Sequence, residues 1–137
     1  MINSRDPADL TPDTRAKCAA FIVACRDLGI EALITSTYRD NECQASLYAQ
    51  GRTVPGKRVT KAGPGKSFHN HKCAFDFVPI VAGKAVWNDA ILWELCGKAA
   101  EKVGLEWGGR WDFVDKPHCQ NAQGATIAQL MAGKVLA

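Results

Sequence analysis

Histidine occurs only three times in 137 residues, and two of the three stand in one short stretch. Residues 67–76 read Ser67-Phe68-His69-Asn70-His71-Lys72-Cys73-Ala74-Phe75-Asp76, which sets two imidazoles ahead of a lone carboxylate among apolar neighbours. The third histidine closes Asp115-Lys116-Pro117-His118, again with an aspartate at hand. Two imidazoles and one carboxylate on a tetrahedral Zn²⁺ leave its fourth position open to water, the arrangement of catalytic rather than structural zinc. Water made acidic in this way still needs a base, and a carboxylate that does not bind the metal can take its proton and hand it to a leaving amine. The implied chemistry is hydrolysis. No Cys-x-x-Cys pair supplies a closed four-ligand set, and no His-Glu-x-x-His places two ligands on one helix.

Several elements must carry these residues to one place. Thr11-Pro12-Asp13 reads as a cap, a proline at the first helical position and an acid in the first turn, predicting a helix to Leu28 that Gly29 ends, with Ala20, Phe21, Ala24 and Leu28 as its apolar stripe. Residues 30–38 read as a strand that delivers Arg39 just past its end. Asn41 is the expected cap of the next helix, with Gln44 reaching back to it, and Gly51 its stop. Residues 51–66 hold four glycines, two prolines, five basic residues and no acid, which predicts a long surface loop, either a solvated linker or the border of an anionic substrate's site. Ala74 to Val78 reads as a strand with Asp76 on one face and Phe75 and Phe77 on the other. His69 and Asp76 are seven apart, so a bend near 70–72 has to turn them to a common point. Residues 84–87 predict a short strand, and 88–103 a helix with Leu92, Leu95, Cys96, Ala99 and Val103 inward. Residues 105–107 suggest another strand. Pro117 makes 118–120 an edge strand or a strand beginning, and Thr126 caps a last short helix.

Composition narrows the class. A chain of this length with 47% hydrophobic and 23% charged residues fits one globular domain, residues 1–137, rather than a disordered or fibrous chain. A net charge of +3 gives weak attraction to anionic surfaces such as bacterial envelopes but not the basic footprint of a nucleic-acid-binding domain. No run approaches a membrane span and the N-terminus shows no secretory pattern, so the expectation is cytosolic synthesis without stable membrane insertion. Six cysteines without close pairs then read as reduced thiols, and Cys18 and Cys25, seven apart on the first helix, can both face its buried side.

Ser67-x-His69-x-x-x-x-Ala74-x-Asp76 with Asp115-x-x-His118 resembles the zinc peptidases of the D-alanyl-D-alanine peptidase, lysostaphin and Hedgehog-fold group, specifically phage endolysins that cleave L-alanyl-D-glutamate bonds of peptidoglycan. Thr37-Tyr38-Arg39, Gln44-x-x-Leu47-Tyr48-x-x-Gly51-Arg52-Thr53 and Trp107-Gly108-Gly109 also resemble that subfamily, in the same order. The resemblance implies an α+β fold with a small antiparallel sheet, flanking helices and a zinc site in an open cleft. It implies His69, Asp76 and His118 as zinc ligands, Asp115 as general base and Arg39 as the group that steadies the oxyanion. Ser67, His71 and Trp111 are then expected along the substrate cleft, and Asp112 lacks the three-residue spacing to His118. Lys72 departs from the family, which usually has glycine there; a left-handed backbone at that position would strain lysine by about 1 kcal/mol.

The implied function is hydrolysis of the L-alanyl-D-glutamate bond in stem peptides, with a D,D-carboxypeptidase or dipeptidase acting on D-Ala-D-Ala as the nearest rival and a non-catalytic wall-binding module as the rival of another class. The implied setting is a monomer without a separate wall-binding domain that accumulates in the host cytoplasm and reaches the wall when a holin opens the membrane.

Overall fold

Alternation along one strand decides where the molecule has an inside. In the computed structural model, which describes residues 1–137, strand β2 (Ala74–Val81) buries Phe75 and Phe77 on one face and presents Asp76 on the other. Strands β1 (Glu31–Ser36) and β5 (His118–Gln120) pair with β2 on its two sides. Strand β4 (Glu106–Trp107) lies outside β5, and β3 (Lys84–Ala85) turns back onto the end of β2. Every pairing is antiparallel, in the order β1-β2-β5-β4.

Helices α1 (Pro12–Arg26) and α3 (Ala90–Lys102) cover the phenylalanine face. Phe21 meets Phe77 edge-on at 4.8 Å between ring centroids, and Trp93 meets it at 5.4 Å. Aromatic contacts of this geometry add to the burial that holds the layers together. Helix α2 (Asn41–Ala49) follows β1, and α4 (Ile127–Met131) closes a small cluster of Cys73, Ala125 and Leu130. The α+β class and the antiparallel sheet with flanking helices are as expected.

Local details differ from the sequence reading. The buried stripe of α1 is Thr14, Cys18, Phe21 and Cys25, whereas Ala20 and Leu28 face water. Phe21 is common to the expected and the observed stripe, and Cys18 and Cys25 share the buried side as their seven-residue spacing allows. In α3, Trp93 is buried where Leu95 had been expected. Asp40, not Asn41, caps α2, its carboxylate accepting from the Cys43 amide at 2.8 Å. Strand β5 begins directly after Pro117 and is an interior strand: the proline has no N–H to give, but its carbonyl accepts from the Phe77 amide at 3.0 Å. All six cysteines are buried and unbridged.

Residues Phe68–His71 form a 3-10 turn closed at both ends. Ser67 Oγ accepts from the His69 amide, Asn70 Oδ1 accepts from the Ser67 amide, and Lys72 ends the turn in the left-handed region at φ 61°. This is the bend that the spacing of His69 and Asp76 requires, built with lysine where glycine is sterically easier. The Lys72 ammonium lies 4.9 Å from the centroid of the Tyr38 ring. Comparing Lys72→Gly with Lys72→Ala isolates the backbone cost, since both lose that contact: the glycine variant is expected to be more stable by about 1 kcal/mol in urea unfolding. Equal midpoints and slopes would show that the left-handed turn is unstrained.

Candidate metal centre and cleft

Three elements bring the donor atoms together. The 3-10 turn carries His69, the middle of β2 carries Asp76, and the first residue of β5 is His118, directly opposite Asp76 in the strand pairing. The β1–β2 register shifts between Ile34 and Ser36, so that Ser36 comes opposite Asp76. Such a bulge re-aims a strand where a site is built. Just beyond it the Thr37 carbonyl accepts from His69 Nδ1–H at 2.8 Å, leaving Nε2 of that ring with its lone pair.

His118 is set the opposite way round. Its Nε2–H donates to Gln120 Oε1 at 2.8 Å, leaving Nδ1 free. The two free nitrogens converge on one oxygen, Asp76 Oδ1, at 3.2 Å from His69 Nε2 and 3.4 Å from His118 Nδ1. All three ligand atoms lie within 4.8 Å of one another. Three lone-pair atoms at this separation repel unless a cation stands between them. A tetrahedron with metal–ligand arms of ~2.0–2.2 Å has edges of roughly 3.3–3.6 Å; the 3.4 Å contact falls among such edges and the 3.2 Å contact just below them. The donor set therefore fits a divalent metal ion, and His69, Asp76 and His118 could hold one.

The charges at the cluster agree. Burial pushes the His69 pKa down, so that ring stays neutral as a ligand must. Burial acts on His118 in the same sense, but the hydrogen bond and charge of Asp76 outweigh it and hold that pKa above the ordinary value. Burial raises Asp76, yet the two imidazoles that face it, His118 ahead of His69, win and keep its carboxyl well below the usual carboxylate range. The cluster attracts positive charge, and a proton at His118 competes with a metal for it.

Arg39 and Asp115 border the same cleft, a cavity of about 600 Å³. Arg39 Nη2 stands 3.6 Å from Asp76 Oδ2, and Nη1 donates to Gln44 Oε1 at 3.2 Å. Gln44 is fully buried, and its Nε2 donates to the Ala62 carbonyl at 2.8 Å. Gln44 thus steadies the guanidinium and does not cap α2. Arg39 Nε is buried without any partner. Asp115 is fixed through its backbone: its amide donates to the Gly108 carbonyl at 2.9 Å, and a Cβ at Gly108 would collide with the Asp115 carbonyl. The Trp107 ring is likewise wedged between Gly97 and Gly109, where any Cβ would overlap it. Burial, with the nearby Asp76 charge, raises the Asp115 pKa above its ordinary value, against opposing pulls from His118, His69 and Arg39.

Ser67 and Trp111 line the cleft, and the Trp111 ring lies 5.1 Å from that of His118. His71 does not line it: its Nε2 bonds the Gly65 carbonyl at 2.7 Å, which turns the ring away and ties down the end of the basic loop. That loop borders the cleft through Val59, Thr60, Lys61, Ala62 and Lys66, and Arg52 pins it by donating to the Thr60 carbonyl at 3.0 Å. The Lys61 ammonium sits 3.9 Å above the Phe113 ring, joining the loop to the segment that carries Asp115. Cys73 and Cys119 are fully buried and take no part in the cluster. Gln120 escaped the sequence reading, although a residue two positions along a strand shares the face of His118. Gln44 belongs to the stretch that carries the resemblance but reads there as a capping residue, and its hold on Arg39 comes only from the fold.

Comparison with known proteins agrees with this geometry. Residues 60–121 match the family model described as D-alanyl-D-alanine carboxypeptidase. The chain is 36% identical over 124 residues to the peptidoglycan L-alanyl-D-glutamate endopeptidase CwlK of Bacillus subtilis, covering 83% of this chain and 74% of that protein. It is 33% identical over 115 residues to the L-alanyl-D-glutamate peptidase of Listeria phage A118, covering 81% of this chain but 37% of that one. Its fold is similar to that of the Serratia marcescens L-Ala D-Glu endopeptidase ChiX, with a TM-score of 0.66 at 19% identity over 89% of this chain and 90% of that one. It is also similar to the LD-carboxypeptidase LdcB, with a TM-score of 0.60 at 19% identity over 93% and 73% of the two chains. The chain belongs to this family of peptidoglycan peptidases.

Metal uptake checks the centre directly. Stoichiometric Zn²⁺ should remain after desalting and be lost in His69→Ala and His118→Ala, as read by elemental analysis. Because the His118 pKa is raised, proton competition should begin above the ordinary histidine value of about 6.5 and weaken uptake as the pH falls through it.

Proposed function

We propose that the chain is a zinc peptidase that hydrolyses the bond between L-alanine and D-glutamate in the stem peptides of bacterial peptidoglycan. The observation that carries this reading is the meeting, in one cleft, of a His-Asp-His cluster, a carboxylate without a side-chain partner and a buried arginine. The 36% identity to CwlK supports the choice of bond.

Bound at His69, Asp76 and His118, Zn²⁺ would supply Lewis acidity, polarising the scissile carbonyl and bringing the pKa of water toward neutrality. Asp115 takes the proton as water attacks the carbonyl carbon. Its raised pKa makes it a stronger base than an ordinary aspartate. The same carboxyl then gives that proton to the departing D-glutamate nitrogen as the C–N bond breaks, which restores the base. Arg39, held by Gln44 and Asp76, directs its guanidinium at the negative charge that develops on the carbonyl oxygen; removing one such donor typically costs about 3 kcal/mol of transition-state stabilisation. Trp111 and Ser67 form walls against which the peptide lies.

The cleft draws on residues from Asn3 to Gln120, which supports one catalytic unit over the described residues. The likeness to the phage protein supports an endolysin that accumulates, as a monomer, in the host cytoplasm and meets the wall once a holin-type partner opens the membrane.

Digestion of purified sacculi followed by mass spectrometry tests the bond: fragments with a new N-terminal D-glutamate are expected. Free alanine as the sole product would instead support a D,D-carboxypeptidase, the activity in the description of the matching family model. Asp115→Asn is expected to lower kcat by roughly 10²- to 10⁴-fold while leaving the zinc content intact. In the parent enzyme, activity should be lost as the pH falls through the raised Asp115 value, because only the ionised form accepts a proton. A variant as active as the parent would remove Asp115 from the mechanism.

A further inference from the structure

The hydrogen bond that sets His118 depends on which way round an amide lies. A glutamine amide offers an acceptor at one end and a donor at the other, so Gln120 could in principle meet the ring with either. Its far end settles the matter. Gln120 Nε2 donates at 3.0 Å to Oε2 of Glu106, the residue directly opposite it in the β4–β5 pairing. Turning the amide over would set the Gln120 carbonyl against a carboxylate, acceptor against acceptor, and would lose a charge-assisted hydrogen bond. The same Glu106 oxygen accepts from Trp111 Nε1 at 3.1 Å, so one carboxylate anchors both the amide and the aromatic cleft wall beside His118.

We propose that Glu106 and Gln120 are positioning residues of the metal centre: the Glu106 carboxylate orients the Gln120 amide, the amide keeps the His118 proton on Nε2, and Nδ1 is thereby left as the ligand atom facing Asp76. The chain of contacts runs from a surface carboxylate through a buried amide to the imidazole. Groups that hold a ligating histidine in this way typically contribute 10- to 100-fold in metal affinity. The inference rests on the metal-centre reading above.

Reversing the polarity of the chain tests it. In Glu106→Lys the ammonium can only donate, so the Gln120 amide should turn its carbonyl toward it and present N–H to the ring. Zn²⁺ affinity, measured by competition with a chromophoric chelator, should fall by roughly 10- to 100-fold. Adding Gln120→Glu supplies an acceptor that suits both the His118 Nε2–H and the new ammonium, so the double variant should recover most of the affinity. A merely structural strand contact would not be rescued by that swap. Thermal unfolding of the metal-free proteins checks that each variant is folded, and Glu106→Gln, which removes charge but not length, should fall between the parent and Glu106→Lys. A single variant that binds Zn²⁺ as tightly as the parent, or a double variant no tighter than the single, would overturn the positioning chain alone. A parent protein that takes up no Zn²⁺ would overturn the metal centre and this chain with it.

Discussion

Mutual repulsion among the lone pairs of His69 Nε2, His118 Nδ1 and Asp76 Oδ1 is the constraint on which the structure turns. Polar atoms buried at such distances are costly unless something positive lies between them or the chain is held so firmly that they cannot part. The second condition operates here, and a bound cation would meet the first. Each imidazole is fastened at its far nitrogen by a fixed acceptor, a backbone carbonyl for one and an amide oxygen for the other, so neither can rotate to relieve the contact. The fold spends its local irregularities on enforcing this convergence: a strand bulge beside Asp76, a left-handed lysine after the histidine turn, and glycines where Trp107 and Asp115 press against the backbone.

Those irregularities also explain why the site is divided as it is. The donor trio sits on regular or tightly capped elements, where positions are set to within a rotamer, whereas Asp115 belongs to the connection between β4 and β5. A ligand has one correct place; a base that serves water first and a leaving nitrogen later has two to reach. Gly108 fixes the root of Asp115 without gripping its carboxylate, which leaves the side chain free to serve both partners.

The donor trio was legible in the sequence because histidine is rare in this chain and because odd spacing between His69 and Asp76 demands a bend, which the chain supplies at 68–72. The strand Ala74–Val81 announced itself by alternation. What could not be read depends on pairings between distant segments. That β5 lies inside the sheet follows from β4 joining its outer side, a contact no local pattern encodes. That Gln44 faces inward follows from Ala62 and Arg39 meeting it, two contacts made by segments on either side of α2. The inner face of α1 was legible at Phe21 and in the seven-residue spacing of Cys18 and Cys25, but not at Thr14, a polar residue that a search for an apolar stripe passes over.

The contact of Lys61 with the Phe113 ring bears on how a polymer enters. An exposed cation–π pair of this kind is worth about 0.5–1 kcal/mol, which by itself favours the joined walls over the parted ones only about two- to five-fold. That is too little to bar the cleft. An acidic group arriving there would offer the ammonium a stronger partner than a benzene ring.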